Sequence, residues 1–421
     1  MTTVVSGDVW LDRMSSDWKC SRIRNVAELS PSYSQTRPVS DEPCTVVPME
    51  LLSTDGLIDA SNQQPLEDIS TGLPLFEKGD VLFAKITPCM ENGKGAFVRN
   101  LPTRYAFGST EFHVLRAGCK VDGQFLYYAT VNPVYRAYAA ENMVGAAGQK
   151  RVSSRFLKDT RLFLPPLPEQ RRIAAYLDAS CVAIDAAVVA KRRQLETLDA
   201  LKHSAIFHAV TRGLNDSAKF TPSGINWLGA IPSHWTIRRI KDIAELRSGD
   251  AIQAVDIAPD GDYPVYGGNG LRGYTSSFTH DGQFVLIGRQ GALCGNINYA
   301  NGRFWATEHA VVATLLRRYD ALWFGELLRA MSLGQYSNAA AQPGLAVDRI
   351  RFLYLPVPPL EEQTRIAEHV DSVIRKNERI GAAIQSQIAT LTAYRKSLIH
   401  ECVTGQRRIT DADLNRVQAH G

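Results

Sequence analysis

The sequence has few cysteines, and none of them stands in a metal-binding or disulfide pattern. Its seven cysteines among 421 residues are odd in number, scattered, and never spaced as C-x-x-C. Structural zinc sites and small disulfide-stapled domains need closely spaced cysteines, so both classes are excluded. We expect reduced thiols in a cytoplasmic protein.

Long apolar runs and a strong charge of either sign are also missing. No apolar run reaches the roughly 20 residues of a membrane span, and no cationic segment with an apolar core begins the chain, so we predict no membrane partner. A net charge of +4 permits a nucleic-acid partner, but basic residues must cluster to attract phosphates. The length indicates two or three globular domains. No Walker A string occurs, so ATP use is not expected.

A short stretch occurs twice at a constant offset of 193 residues. Residues 164–178 read LPPLPEQRRIAAYLD, and residues 357–371 read VPPLEEQTRIAEHVD. Matches at the same offset continue downstream to Thr211 and its counterpart Thr404. A period this long, held without gaps, indicates a duplicated chain.

Each copy of this repeat opens a long predicted helix. Proline is tolerated at a helix start but not inside it, so the first helix begins near Pro168 and runs to about Thr211, where Gly213 can end it. The second covers 361–404, with Asn377 at a seam position. Apolar residues step by three, four and seven, as in a coiled coil. Antiparallel packing of the two stripes predicts a pseudo-two-fold arrangement.

The segments before the helices look strand-rich and mixed, so the predicted fold class is α+β. Buried strands are predicted at 79–86 and 283–287, and helical spacing at 124–142. The predicted parts are a first strand-rich domain (1–163), a spacer helix (164–213), a linker (214–230), a second strand-rich domain (231–355), a second spacer helix (356–404) and a polar tail that we expect to fray (405–421).

The strand-rich domains are themselves diverged duplicates. Trp18 and its neighbours recur at an offset of 217 around Trp235. The string Ser109-Thr110-Glu111 pairs with Ala306-Thr307-Glu308. The segments 152–161 and 347–351 do not match in length, which predicts that the two domains differ just before the repeat.

These features resemble type I restriction–modification specificity subunits. The paired LPPLPEQRRIA and VPPLEEQTRIA segments look like that family's two conserved regions, and residues 225–235, INWLGAIPSHW, resemble the start of its second target-recognition domain. The resemblance covers nearly the whole chain; one departure is Pro168, where the second copy has Glu361.

The resemblance implies a non-catalytic subunit that binds double-stranded DNA and reads an asymmetric bipartite site, one half per domain. It implies helices that set the gap and dock two adenine methyltransferase (modification) subunits, with restriction subunits completing an ATP-dependent nuclease. S-adenosylmethionine, ATP and Mg²⁺ are then expected only in the partners. The implied hinge and docking residues are Pro165, Pro166, Glu169, Gln170, Arg172, Pro358, Pro359, Glu362, Gln363 and Arg365.

Candidate DNA-contacting residues are basic and amide side chains on predicted loops. Arginine reads guanine, and asparagine or glutamine reads adenine, in the major groove. The candidates are Lys85, Lys94, Arg99, Arg104, Gln149, Lys150, Arg151, Arg247, Asn269, Arg272, Arg289, Gln290, Arg303 and Gln342. For any single arginine, a solvated surface charge is the alternative.

Several strings resemble catalytic motifs, and each has a simpler interpretation. Residues 268–273 fit G-x-G-x-x-G, but the segment that follows is not helix-forming. Residues 132–135, NPVY, nearly match a methyltransferase motif and predict a helix start. His309 is either a ligand or DNA contact, or a satisfied structural histidine. We predict no catalytic or metal site; a stand-alone methyltransferase–nuclease and a coiled-coil scaffold are the alternatives.

Overall fold

The computed structural model of the chain describes residues 17–33, 39–146, 148–291, 293–316, 318–337 and 344–420. The chain divides into two compact units. Unit 1 contains residues 1–191 and 386–421, and unit 2 contains residues 192–385. Both long helices therefore belong partly to each unit, whereas the six-part division made from the sequence stays a prediction.

Unit 1 is built on short strands arranged in two four-stranded sheets and one strand pair. The strands are β1 (Lys19–Arg22), β2 (Ala27–Leu29), β3 (Pro43–Val47), β4 (Gln63–Pro65), β5 (Leu75–Phe76), β6 (Asp80–Ala84), β7 (Gly95–Phe97), β8 (Ala106–Gly108), β9 (Phe112–Ala117) and β10 (Arg161–Leu164). The sheet orders are β2-β9-β6-β7 and β4-β3-β8-β5, and β1 pairs with β10. Strand β6 is buried at every position, which is why the sequence shows it as a short apolar run.

The helices of unit 1 begin with α1 (Gly123–Val131), α2 (Pro133–Glu141), α3 (Ser154–Asp159) and the long α4 (Leu167–Arg212). The helical segment predicted at 124–142 is two helices, because Asn132 leaves the helical conformation between them. The Asn132 side chain accepts the N–H of Val134 at 3.1 Å and caps α2. The NPVY string is therefore a helix start, as predicted.

Unit 2 contains one six-stranded sheet and two strand pairs. Its strands are β11 (Phe220–Pro222), β12 (Ala230–Pro232), β13 (Thr236–Arg239), β14 (Ala244–Ser248), β15 (Tyr263–Gly267), β16 (Gly270–Thr275), β17 (His280–Gly288), β18 (Ile297–Ala306), β19 (Ala310–Leu315) and β20 (Tyr354–Val357). The sheet order is β14-β19-β17-β18-β15-β16, while β11 pairs with β12 and β13 with β20. Helices α5 (Ala321–Ala330), α6 (Val347–Ile350) and α7 (Leu360–Val403) follow.

The start of one long helix and the end of the other complete the core of each unit. In unit 1 the shared core contains, from α4 and then α7, Ile173, Leu177, Cys181, Leu398, Cys402 and Val403. In unit 2 it contains, from α4 and then α7, Ile206, Ala209, Val210, Ile366, Ala367 and Val370. Among the described helices α4 is long and apolar enough to cross a membrane by length and composition. Because both of its ends pack into protein cores, we interpret it as a core helix.

The helix segments run antiparallel, as the apolar seams predict. Within unit 2, Asn377 Nδ2 donates to the backbone oxygen of Leu198 at 2.8 Å. A Cβ on Gly381, one turn further along α7, would lie 3.9 Å from the side chain of Leu195, one turn back along α4. The polar seam residue Asn377 thus bonds across the helix pair. The pseudo-two-fold relation of the two halves stays a prediction.

The described part of the polar tail, residues 405–420, is structured, so the expectation that the tail frays is wrong over these residues. Helix α8 (Asp411–His420) follows Ile409, whose side chain is 2% exposed within the unit 1 core. Arg172 Nε donates to the backbone oxygen of Ile409 at 2.7 Å. Leu414 and Val417 of α8 also pack against this core, so burial of three apolar side chains holds a segment whose composition is mostly polar. The segment 214–230, predicted as a linker, also contains regular structure, since β11 lies within it.

The two units repeat one frame of backbone hydrogen bonds. Ile23 N donates to Thr160 O at 2.9 Å, and its counterpart Ile240 N donates to Leu353 O at 3.0 Å. Thr160 and Leu353 are 193 residues apart, which is the offset of the repeat itself. The segments just before the repeat are therefore equal in length. The prediction that they differ is wrong, because that comparison began from unlike positions.

Candidate nucleic-acid interface

In unit 1 a charged cluster forms where the central strand β6 ends. Lys85 follows this strand, and its N–H donates to the backbone oxygen of Glu111 at 2.9 Å. Arg151 donates from Nε to Glu111 Oε2 at 2.9 Å and from Nη2 to Oε1 at 2.8 Å. These bonds lower the pKa of Glu111, so the pair is charged at neutral pH. The Arg151 side chain is 40% exposed, so part of it is accessible to a ligand.

In unit 2 the corresponding strand β17 ends at an open cavity of about 450 Å³. The residues that line it are Gly268, Asn269, Arg272, Gln290, Gly291, His309 and Gly344. Asn269 Oδ1 accepts a hydrogen bond from Asn296 Nδ2 at 2.8 Å. His309 Nε2 lies 3.2 Å from Glu308 Oε1. The cavity brings together three of the predicted DNA-contacting residues and His309, which the sequence left open.

Backbone bonds establish which positions of the two sites are equivalent. Arg289 N donates to His309 O at 2.9 Å, as Lys85 N does to Glu111 O. Leu345 N, next to Gly344, donates to Arg289 O at 2.8 Å. In the same way Val152 N, next to Arg151, donates to Lys85 O at 2.9 Å. The equivalent pairs, unit 1 first, are Lys85 and Arg289, Glu111 and His309, and Arg151 and Gly344.

The sequence pairing of residues 109–111 with 306–308 is therefore wrong by one position. Phe112 N donates to Ser109 O in unit 1, and Ala310 N donates to Thr307 O in unit 2, which aligns Glu111 with His309. Sequence reasoning selected neither Glu111 nor Gly344. Gly344 could have been identified from the repeat, because it lies 193 residues after Arg151, which is the offset of the repeat.

Other predicted DNA-contacting residues are held by partners inside their own unit. These are Lys94 (Met49 O, 2.8 Å), Arg99 (Asp178), Arg247 (Glu245, 2.7 Å), Arg289 (Ser248 Oγ, 3.0 Å) and Arg303 (Asp281, 3.0 Å). Gln149 and Lys150 are exposed beside Arg151, and Arg104 stacks over the Tyr105 ring at 5.0 Å. Gln342 lies outside the described residues.

The repeated glutamine of the first copy is an internal lock. Gln170 Oε1 accepts the N–H of Asp122 at 2.8 Å, and its Nε2 donates to Pro165 O at 2.8 Å and to Lys120 O at 3.1 Å. Asp122 is the N-cap of α1. One side chain therefore joins the Pro-Pro segment to the start of a helix in the strand-rich part of unit 1.

Gln363 makes the same connection in unit 2. It accepts the N–H of Asp320, the N-cap of α5, at 3.1 Å and donates to Pro358 O at 2.9 Å. Gln170 and Gln363 are each 1% exposed. Both side chains therefore act within their own unit, as expected of hinge residues, and a partner-docking role for them stays a prediction.

The remaining members of the repeat differ in accessibility. Glu169 pairs with Arg408 at 2.9 Å, and Glu362 accepts from His234 Nε2 at 2.8 Å and from Trp235 Nε1 at 3.1 Å. Pro165 and Pro358 are buried, Arg172 is half-buried, and the exposed members are Pro166, Pro359 and Arg365. For the exposed members a docking role stays a prediction.

The strings that resemble catalytic motifs have structural explanations. Residues 268–273 join β15 to β16 and continue as strand rather than opening a helix, whereas a dinucleotide fingerprint needs a helix N-terminus there. The string Asp17-Trp18-Lys19 has the D-x-K form that nucleases use beside a second acid, but its Asp17 pairs with Arg408 at 3.0 Å. Among the described residues no group of three or more histidine, cysteine, aspartate or glutamate side chains is arranged to hold a metal ion.

The fold and these sites define a class: a duplicated α+β protein with two equivalent polar strand-end sites and two long helices. The family model of the type I restriction modification DNA specificity domain matches residues 15–188 and 232–390. These segments make up well over half of the chain, so it belongs to that family. The predicted resemblance and the predicted fold class are confirmed.

Curated relatives match parts of the chain. The type I restriction enzyme EcoprrI specificity subunit of Escherichia coli is 44% identical over 138 residues, which cover 32% of this chain and 34% of that protein. The EcoAI specificity subunit of the same species is 30% identical over 219 residues, covering 50% of this chain and 35% of that protein. The chain thus spans about a third of the length of these relatives.

Two solved structures share the fold over almost the whole chain. One comes from work on complex assembly and conformational transition of the type I R-M system, with a TM-score of 0.75, 17% identity, and coverage of 93% of this chain and 98% of that chain. The HsdS subunit from Thermoanaerobacter tengcongensis has a TM-score of 0.57 at 17% identity, with coverage of 94% and 98%.

Proposed function

We propose that this chain is the DNA sequence-specificity subunit of a type I restriction–modification complex, and that it is not itself catalytic. Each unit reads one half of an asymmetric, bipartite site on double-stranded DNA. The observation that carries this proposal is one backbone frame, built twice, with unlike side chains at the equivalent strand end. Two readers on a common scaffold then select two different half-sites.

Within each unit, different residues have different roles. Exposed cations such as Lys150 and Arg104 seat the unit on phosphates, which carry no sequence information. The strand-end residues Arg151 in unit 1, and Asn269, Arg272 and Gln290 in unit 2, contact base edges.

The partners we propose are two methyltransferase (modification) subunits, and restriction subunits in a complex that cleaves. The exposed Pro166, Pro359 and Arg365 are the proposed docking residues. S-adenosylmethionine, ATP and Mg²⁺ act only in the partners. The lengths of α4 and α7 set the gap between the half-sites, and the complex works in the cytoplasm.

Mapping of methylated adenines in cells with and without this chain, in the presence of modification subunits, tests the function. We expect methylation at one bipartite motif that depends on the chain. Methylation by the isolated chain, or a map that does not change when the chain is removed, overturns the proposal. Binding of the complex to the mapped site should also weaken steeply with salt, by about 10³ to 10⁵ between 50 and 200 mM for six to ten phosphate contacts.

The gap is tested by lengthening both helices. An insertion of two helical turns in α4, together with an insertion of the same length in α7, should change the preferred gap between the half-sites and leave the sequences of both half-sites unaltered. An unchanged gap would remove the spacing role while leaving the recognition role standing.

A further inference from the structure

We infer that the equivalent strand-end sites of the two units form a specificity switch: unit 1 selects guanine through Arg151, and unit 2, where Gly344 stands in place of that arginine, selects adenine through the neighbouring Gln290. This inference rests on the proposed function and adds to it the base that each site takes. It starts from the observation that the two units share the same backbone hydrogen bonds at the strand end but have different side chains there. Where unit 1 has the Glu111–Arg151 ion pair, unit 2 has His309 and Gly344.

The ion pair in unit 1 presents the guanidinium in one fixed orientation. Nε and Nη2 bind the two oxygens of Glu111, and Nη1 donates to Gln149 O at 3.3 Å. A guanidinium carries five N–H groups, so these three bonds leave one N–H on Nη1 and one on Nη2. Two such neighbouring donors match O6 and N7 of guanine. Because Glu111 already holds Arg151, little side-chain freedom is lost when a base binds.

In unit 2 the same position is open. Gly344 contributes no side chain, and His309 makes its contact with Glu308 rather than with a cation across the cavity. The backbone of Gln290 is fixed by its bridge to Gly344, as that of Ile86 is by Arg151. An amide offers one donor and one acceptor, which suits N7 and the N6 amino group of adenine.

Other groups at the cavity favour Gln290 as the reader. Asn269 Oδ1 already accepts a hydrogen bond from Asn296 Nδ2, so only the Nδ2 group of Asn269 is left to contact a base edge. Gln290 has no side-chain hydrogen bond among the described residues, so both ends of its amide are available. The buried Oε2 of Glu308, beside His309, also lacks a hydrogen-bond partner in the described part of the chain.

Conservative substitutions in the assembled complex test each half of the inference. The complex of this chain with modification subunits is measured against the mapped site and against duplexes that change one base at a time. Arg151→Lys keeps the charge but loses the paired N–H donors of the guanidinium. It should lower the preference for guanine over other bases at one position of one half-site by about 5- to 150-fold. Gln290→Ala should do the same for one adenine in the other half-site.

Matched controls lie on the surface of the same units. Arg155→Lys changes an arginine side chain that is 94% exposed, and Gln253→Ala changes an exposed glutamine. Neither should alter any base preference. Thermal unfolding of every variant shows whether it is folded.

A transplant of the ion pair gives a test by gain of function. The double variant His309→Glu with Gly344→Arg rebuilds the unit 1 pair in unit 2. A Cβ at Gly344 meets nothing closer than Arg289 O at 3.7 Å, so the backbone has room for a side chain to begin there. The expected result is a change from adenine to guanine at one position of the unit 2 half-site.

The outcomes separate this inference from the function on which it rests. A wild-type complex without a bipartite preference overturns the proposed function. If the wild type has such a preference and Arg151→Lys, Gln290→Ala and the double variant all keep it, only the switch is overturned. Equal loss of affinity for every sequence also overturns the switch, since it identifies phosphate contacts.

Discussion

Replacement of Gln170 by alanine should destabilise unit 1 and leave unit 2 unchanged. The substitution removes three hydrogen bonds, from Asp122 N at 2.8 Å and to Pro165 O at 2.8 Å and Lys120 O at 3.1 Å. Gln170 is 1% exposed, so the backbone groups left behind have little access to water. The change therefore acts at the junction of α4 with the N-cap of α1.

The magnitude follows from the cost of unsatisfied buried groups. A typical hydrogen bond contributes about 1 kcal/mol, and a buried group left unpaired costs about 1–3 kcal/mol. Three lost bonds, partly relieved by water entering the vacated space, give about 3–5 kcal/mol. For a unit of this size each 1 kcal/mol lowers Tm by about 2–4 °C, so the expected fall is roughly 6–20 °C.

Hydrogen exchange measured by mass spectrometry along a urea series assigns the loss to a unit. Exchange in unit 1 peptides should accelerate in Gln170→Ala and that in unit 2 peptides should not; Gln363→Ala should show the reverse. Gln387→Ala, at an exposed position of α7, is the matched control. A loss below about 1 kcal/mol, or an equal effect of Gln387→Ala, would refute the locking role of this glutamine.

Three further outcomes follow from the packing and the ionisable groups. A chain that ends at residue 397 lacks the buried Leu398, Cys402 and Val403 of the unit 1 core, so calorimetry should show loss of the unit 1 transition and an unchanged unit 2 transition; two intact transitions would contradict this. Burial lowers the pKa of His113 below its usual 6.5, so its contribution to stability is present above about pH 6.5 and is lost as pH falls through the folded pKa. His113→Gln should reduce the change of the urea unfolding midpoint between pH 7 and pH 5. An unchanged pH dependence would exclude His113 as its source. Asn377→Leu replaces a polar seam residue, which costs stability, by an apolar one, so the urea unfolding midpoint of unit 2 should rise. A lower midpoint would show instead that the hydrogen bond of Asn377 to Leu198 O is net stabilising.

Features governed by neighbouring residues were predictable. The two long helices follow from proline at their starts and from apolar spacing, and α4 (Leu167–Arg212) lies within one residue of the prediction. The helix start at Asn132 follows from an asparagine before proline. The buried strand β6 follows from an apolar run after a turn. Each signal is local, because the missing N–H of proline and the direction of a side chain act within a few residues.

The candidate site was predictable in composition but not in arrangement. Arg151, Asn269, Arg272 and Gln290 were chosen because arginine and amide side chains read bases, and they lie at the strand-end sites of their units. Arg99 and Lys94 were chosen for the same reason but bond to Asp178 and Met49 instead. Only the packing of distant segments distinguishes the two groups, since each partner is remote in sequence.

The duplication, the two long helices and the strand-rich character of both halves can be inferred from the sequence alone, because a gapless repeat and helical periodicity are properties of the residue order. The three-dimensional structure was needed to show that Gln170 and Gln363 are internal locks, that Ile409 packs into the unit 1 core, and that Glu111 corresponds to His309 and Arg151 to Gly344. These assignments depend on hydrogen bonds between strands far apart in the chain. A register error of one residue there exchanges which side chain stands at the site.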